Sequence, residues 1–141
     1  MNRHAAHFRD LIVYQKAREV AKSVFVLSRR FPREEVHSLT DQMRRSSRSI
    51  GAQIAEAWGK RRYEKHFVSK LTDADSEQYE TQHWVESAVD CEYVTREEAD
   101  QLNDSLAQIG RMLNGMIEKS SSFCGNDPMV LREDSVEYFT P

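Results

Sequence analysis

Residues 64–91 read EKHFVSKLTDADSEQYETQHWVESAVDC, and this stretch decides the fold. It contains neither Gly nor Pro. Phe67, Leu71, Ala74, Gln78, Thr81, Val85 and Ala88 recur at spacings of three and four, which places them on one side of a single long α-helix. The next turn signal fixes where a partner helix begins. Thr95 is followed three residues later by Glu98, the pattern in which each side chain hydrogen-bonds the other residue's backbone N–H at a helix start. From there Leu102, Leu106, Ile109, Leu113 and Met116 form the apolar stripe of a helix ending near Lys119. Gly110 and Gly115 within it each cost about 1 kcal/mol relative to alanine.

Upstream of residue 64 the same reasoning predicts two more helices. One runs from about Leu39 to Trp58, with Leu39, Met43, Ile50, Ile54 and Ala57 inward. Ser38 is its expected N-cap, with Asp41 returning the bond. Gly59 and the run Lys60-Arg61-Arg62 suit its C-terminal end, where cations meet the negative end of the helix dipole. The other is expected from about Phe8 to Arg30, with Val13, Ala17, Val20, Val24, Leu27 and Phe31 in one stripe. Pro32 stops it by disfavouring helical geometry in the preceding residue. Four helices joined by short loops predict an all-α, up-down-up-down antiparallel four-helix bundle over residues 8–119. From Ser120 on, Ser120-Ser121-Ser122 and Gly125-Asn126-Asp127-Pro128 break the pattern. Residues 120–141 are therefore expected to form a flexible tail, whose apolar Met129, Val130, Leu131, Tyr138 and Phe139 offer a docking segment.

Composition agrees with one small helical domain. The chain has 141 residues, a net charge of -3, 30% charged residues and a mean hydropathy of -0.72. No apolar run approaches the ~20 residues that span a bilayer. No apolar segment follows Met1-Asn2-Arg3-His4, so a secretory signal is not expected and the location is read as cytoplasmic. A pI of about 6.0 excludes a wholly basic nucleic-acid binder but allows a local basic patch. Cys91 and Cys124 are too few for a disulfide framework.

Several pieces of this sequence fall in a recurring order: Phe8-Arg9-Asp10-Leu11, Phe31-Pro32 with Glu35, Gln42-Met43-Arg44-Arg45, Ser49-Ile50 and Ile54-Ala55-Glu56. Together they resemble the four helix bundle protein family of the intervening sequences in bacterial 23S ribosomal RNA genes, over about residues 8–118. Gln53 stands where that family usually has Asn, and Ala57 where it usually has Gly. Asp75 is atypical near a small-residue, Ser and Glu run. The resemblance implies closed rings of five bundles, hence a homopentamer. A related branch, the accessory protein of diversity-generating retroelements, implies contact with a reverse transcriptase and with nucleic acid. It implies no shared enzymatic activity.

Candidate chemistry is sparse. Bundles hold di-metal centres with Glu-x-x-His pairs pointing into the core. Here Glu34 and His37 lie in a loop, while Glu80 and His83 project away from the Phe67 stripe. His4 and His7 fall in the polar N-terminus. Cys91 sits beside Asp90 and Glu92, an acidic setting unfavourable to a nucleophilic thiolate. No phosphate-binding glycine loop or hydrolase motif is present. No catalytic residue, metal or cofactor is expected.

Charge is more informative. Residues 44–66 hold seven bases, Arg44, Arg45, Arg48, Lys60, Arg61, Arg62 and Lys65, against Glu56 and Glu64. Residues 73–104 hold eleven acids and a single base, Arg96. Two readings stand: ordinary solvated faces of one bundle, or a functional basic surface that binds RNA or joins subunits. For Arg45 in particular, an RNA contact and a subunit contact are both open. A second apolar set on the first helix, Leu11, Tyr14, Ala21 and Phe25, and small residues on the second, Gly51, Ala52 and Ala55, form a candidate oligomer interface. The other reading is a first helix more deeply buried in its own bundle. The leading expectation is a non-enzymatic homo-oligomeric adaptor with an RNA-associated role. The alternative is a protein–protein scaffold without nucleic-acid contact.

Overall fold

A computed structural model of the chain describes residues 5–124. Its four long helices are α1 (Ile12–Ser28), α2 (Leu39–Gly59), α3 (Glu64–Asp90) and α4 (Arg96–Glu118), followed by a short α5 (Ser120–Phe123). They form an antiparallel four-helix bundle, and no strand occurs among the described residues. Contacts between the connections fix its two ends. At one end the α1–α2 connection meets the α3–α4 turn: Phe31 packs on Tyr93 with ring centroids 5.3 Å apart, and the Tyr93 hydroxyl donates to Glu35 at 2.8 Å. At the other end the α2–α3 turn lies beside α5, where Phe123 stacks on Phe67 at 5.7 Å.

The core follows the sequence stripes closely. All seven α3 positions, Phe67 to Ala88, are buried, as are the five α4 positions from Leu102 to Met116. Thr95 and Glu98 make the reciprocal cap, with Glu98 N–H donating to Thr95 Oγ1 at 3.1 Å and Thr95 N–H to Glu98 Oε1 at 2.9 Å. The polar members of the α3 stripe find partners, as buried polar groups must. The hydroxyls of Thr81 and Ser46 lie 2.9 Å apart between α3 and α2. Gln78 donates to Asp75 at 3.0 Å and accepts from Gln82 at 2.7 Å. Gly110 explains its place in α4 here: a Cβ on it would lie 2.9 Å from Gln78 Nε2 and 3.1 Å from Asp75 Oδ1. Its helix-propensity cost accompanies close α3–α4 packing around this amide.

Four expectations need correction. The first helix does not begin at Phe8. Phe8–Asp10 is a 3-10 turn, capped by His7 and Asp10, and α1 starts only after extended Leu11. Leu11 is 1% exposed, so it belongs to this bundle's own core and is withdrawn from the candidate oligomer interface. Ser38 makes no side-chain cap; the first N–H of α2, on Leu39, donates to Glu35 Oε1 at 3.3 Å instead. The ordered chain also continues past residue 119. Ser120–Phe123 is helical, Phe123 is fully buried and Ser120 Oγ bonds Glu64 Oε2 at 2.5 Å. The rest of the expected tail, residues 125–141 with their apolar Met129 to Phe139, lies outside the described residues, as does His4.

Candidate nucleic-acid interface

The seven candidate bases divide between two places on α2 and its following turn. Arg44, Arg45 and Arg48 lie in mid-helix. Lys60, Arg61, Arg62 and Lys65 surround the α2–α3 turn. Twelve residues separate Arg48 from Lys60, about 18 Å along the axis. The structure therefore gathers them into two clusters rather than one.

The mid-helix cluster is built on Phe25 of α1. Its half-buried ring lies under three guanidinium groups: Arg29 and Arg44, each 4.7 Å from the ring centroid, and Arg48 at 5.7 Å. Cations are drawn to the electron-rich ring face. Arg44 is held further by donating from Nε to Ser28 Oγ at 2.8 Å. Arg45 points outward, 70% exposed, with Asp41 3.9 Å away one turn back. Phe25, read from sequence as bare apolar surface, is thus the floor of an arginine cluster. Tyr14 packs edge-on against Phe8 at 4.8 Å and lies close over Gly51, 3.5 Å from where a Cβ would stand. Tyr14 and Gly51, with Ala21, Arg48 and Ala52, line a cleft of about 250 Å³ between α1 and α2. Ala55 is half-buried and Ala52 exposed. Much of the second apolar set on α1 is therefore used inside the bundle.

The turn cluster forms where α2 ends. Lys60 N–H closes the helix on Ala57 O, and Tyr63 N–H closes the turn on Lys60 O at 3.0 Å. Arg61 lies flat on the largely buried Trp58, its guanidinium 3.5 Å from the ring centroid, and its Nε donates to Trp58 O at 3.0 Å. Half-burial pulls the Arg61 pKa down from its ordinary value, because desolvation penalises the charge. Behind it, burial first and Glu64 second push the Cys124 thiol up to about 11, so it is a neutral thiol at physiological pH. Tyr63 stands 58% exposed, and its ring approaches His66 at 5.6 Å. Trp58, Lys60, Arg61, Arg62, Tyr63 and His66 border an open cleft of about 500 Å³. The sequence reading missed Tyr63, His66, Trp58 and Arg29. The aromatics interleaved with the basic run, Trp58 through His66, were the available signal.

The ion pairs engage few of the bases, and Arg9, Lys16, Arg18, Lys22, Arg29, Arg33 and Arg111 form none among the described residues. Arg30 grips Glu98 with both terminal nitrogens at 2.7 Å. Arg96 bridges Glu86 at 2.9 Å and Asp100 at 3.4 Å, and Lys70 stands between Glu56 and Asp73 at 3.8 and 3.9 Å. Among the described residues, no ion pair engages Arg44, Arg48, Lys60, Arg61, Arg62 or Lys65.

Neither Glu-x-x-His pair forms a metal site. Glu80 accepts from Trp84 Nε1 at 3.0 Å, His83 packs on the Trp84 ring at 4.8 Å, and Glu34 and His37 are exposed. Among the described residues no group of three or more His, Cys, Asp or Glu is placed to hold a metal ion. No helix among them is long and apolar enough to cross a membrane.

Comparison with known proteins supports the fold and names a lineage. The family described as 23S rRNA-intervening sequence protein matches residues 9–115. A crystal structure from Bacteroides thetaiotaomicron, described as a protein of unknown function from the S23 ribosomal protein family, is 31% identical with a TM-score of 0.69. The match covers 76% of this chain and 99% of that one. No curated protein matches the chain. The family match runs from before α1 into the last turn of α4 and includes both basic clusters, and so the chain belongs to the 23S rRNA-intervening sequence protein family.

Proposed function

We propose that the protein is a non-enzymatic, homo-oligomeric adaptor that binds RNA through the basic clusters of α2 and the α2–α3 turn. One observation carries this reading. In a chain of net charge -3, the seven candidate bases gather at two places on α2 and its following turn, and six of them engage no acid among the described residues. Clustered cations without acid partners are the electrostatic footprint of a phosphate-binding surface. A single copy offers few phosphate contacts. A ring, pentameric by resemblance, repeats them and raises the effective concentration of each site.

The test is filter retention of a generic RNA. Retention is expected at about 50 mM salt and should fall steeply by about 200 mM, because each neutralised phosphate releases counterion. Arg62→Glu with Lys65→Glu, both at exposed positions, should abolish it while leaving the mass by light scattering unchanged. Failure of the wild type to retain RNA at about 50 mM salt would replace this reading with the protein-scaffold one. A monomer by light scattering at micromolar concentration would remove the oligomeric part. For that part Ala52→Glu is a better probe than Phe25→Glu, because a carboxylate at position 25 would find Arg29, Arg44 and Arg48 waiting.

A further inference from the structure

We propose that the α2–α3 corner is a stacking site for a single-stranded nucleic-acid segment, with the Tyr63 ring as the base platform and Lys60, Arg62 and Lys65 as the phosphate contacts. This rests on the RNA-binding reading and specifies the kind of strand bound. Two observations carry it. First, Tyr63 is among the most exposed large aromatics of the described chain, 58% open to solvent. A tyrosine left open in this way contributes little to the core, but its face is free to receive a base. Second, it stands in a cleft that Lys60, Arg61 and Arg62 line together with Trp58 and His66, and the floor of that cleft is fixed. Arg61 is clamped flat on Trp58 by its ring contact and by its hydrogen bond to the Trp58 carbonyl. The platform's own backbone is fixed too, since the Tyr63 carbonyl accepts from His66 and Phe67 N–H, both at 3.0 Å.

A rigid aromatic among cations suits single strands. A base can stack on a ring only when it is unstacked from its neighbours, and duplex bases are not. Stacking is also tolerant of sequence, because every base has a π-face. The mid-helix Phe25 differs in this respect: its ring is half-buried and already faced by three guanidinium groups. A-form duplex would meet only scattered charge on this corner, without the broad phosphate track that duplex binders use.

The experiment uses the full chain and fluorescein-labelled twelve-nucleotide probes at about 50 mM salt: single-stranded oligouridine, an RNA duplex of the same length, and oligodeoxythymidine as competitor. Oligouridine should bind at least about ten-fold tighter than the duplex. Tyr63→Ala should weaken it about ten-fold with an unchanged salt slope, because stacking loses no counterion. Tyr63→Phe, which keeps the ring, should bind as the wild type does. Arg62→Gln should weaken binding and lower the salt slope by about one. Oligodeoxythymidine should compete, since the site presents ring faces and charges to base and phosphate. Circular dichroism checks that each variant folds. Equal duplex and single-strand affinity overturns the proposal, as does wild-type binding by Tyr63→Ala; with Arg62→Gln still impaired, either result leaves the RNA-binding reading standing. If the wild type binds no probe, both readings fall.

Discussion

The two ends of the bundle solve the same problem with different chemistry. Both must reverse α3 against a neighbour within a few residues. At the α3–α4 turn two bases are held by acids, Arg30 by Glu98 and Arg96 by Glu86 and Asp100, and the Tyr93 hydroxyl donates to Glu35. That last bond pushes the Tyr93 phenol up to about 12, since ionising it beside Glu35 is unfavourable. At the α2–α3 turn the ends are held by rings, Phe67 on Phe123 and Arg61 on Trp58, and the remaining cations face solvent. One end ties bases to acids across its helices. The other leaves its charge available to a partner.

Apolar packing at the α2–α3 end gives the largest expected effect. Phe123 is fully buried against Phe67. Phe123→Ala should lower the unfolding free energy by about 3–5 kcal/mol, the usual cost of emptying a buried aromatic site. Denaturant titration measures it. A loss under about 1 kcal/mol would mean that α5 is not part of the bundle and that the end is closed by charge after all.

At the paired end the effects are smaller and depend on pH. Glu98 serves two partners, accepting from the Thr95 backbone and bridging Arg30, and these hold its carboxyl down at about 2. The folded value lies below the ~4.3 of a free Glu, so its contribution is complete above about pH 4.5. It is lost as pH falls toward 2. Glu98→Ala should cost about 1–2 kcal/mol at pH 7, combining a cap with a partly exposed ion pair. The difference from wild type should close near pH 2. A gap that persists there would assign the loss to packing.

A third variant probes how the same turn is made. Glu92 has φ of 62°, the left-handed conformation. Its N–H donates to Val89 O and the Tyr93 N–H to Ala88 O, both at 2.9 Å, the paired bonds that finish a helix. Glycine takes this conformation without a Cβ clash, so Glu92→Gly should raise stability by about 1 kcal/mol. No change in the denaturation midpoint would indicate that the Glu92 side chain contributes as much as its strain costs.

These details also mark what the sequence carried. Period and capping chemistry are local, so the α3 and α4 stripes and the Thr95–Glu98 cap were legible. The start of α1 was not, because its interruption at Leu11 involves neither Gly nor Pro and leaves the apolar spacing nearly intact. Ser38 failed as a cap because its backbone, at φ -129° and ψ -108°, departs from the extended geometry from which an N-cap side chain reaches the first turn. Glu92 gave no signal, since a turn of this kind is usually marked by glycine. Helical position already divided the basic run between mid-α2 and the following corner, but not what each base faces. Whether an arginine faces an acid, a ring or solvent depends on helix rotation and on contacts between distant segments, as with Arg44 over Phe25.

The smallest expected effect on stability bears most directly on function. Arg62 is exposed and forms no ion pair among the described residues, and it stands among Lys60, Arg61 and Lys65. Removing one charge from such a group relieves like-charge repulsion and leaves no acid unpaired. Arg62→Gln should therefore change the unfolding free energy by no more than about 0.5 kcal/mol. Arg96→Gln at the other end should weaken the bundle, because it leaves Glu86 and Asp100 without their partner. The same pair should reverse order in RNA retention, with Arg62→Gln impaired and Arg96→Gln intact. If both variants lose stability and neither changes retention, the two ends are electrostatically alike and the basic corner is only a solvated surface. If the orders cross as expected, the cations at the α2–α3 turn stabilise something other than the bundle that carries them.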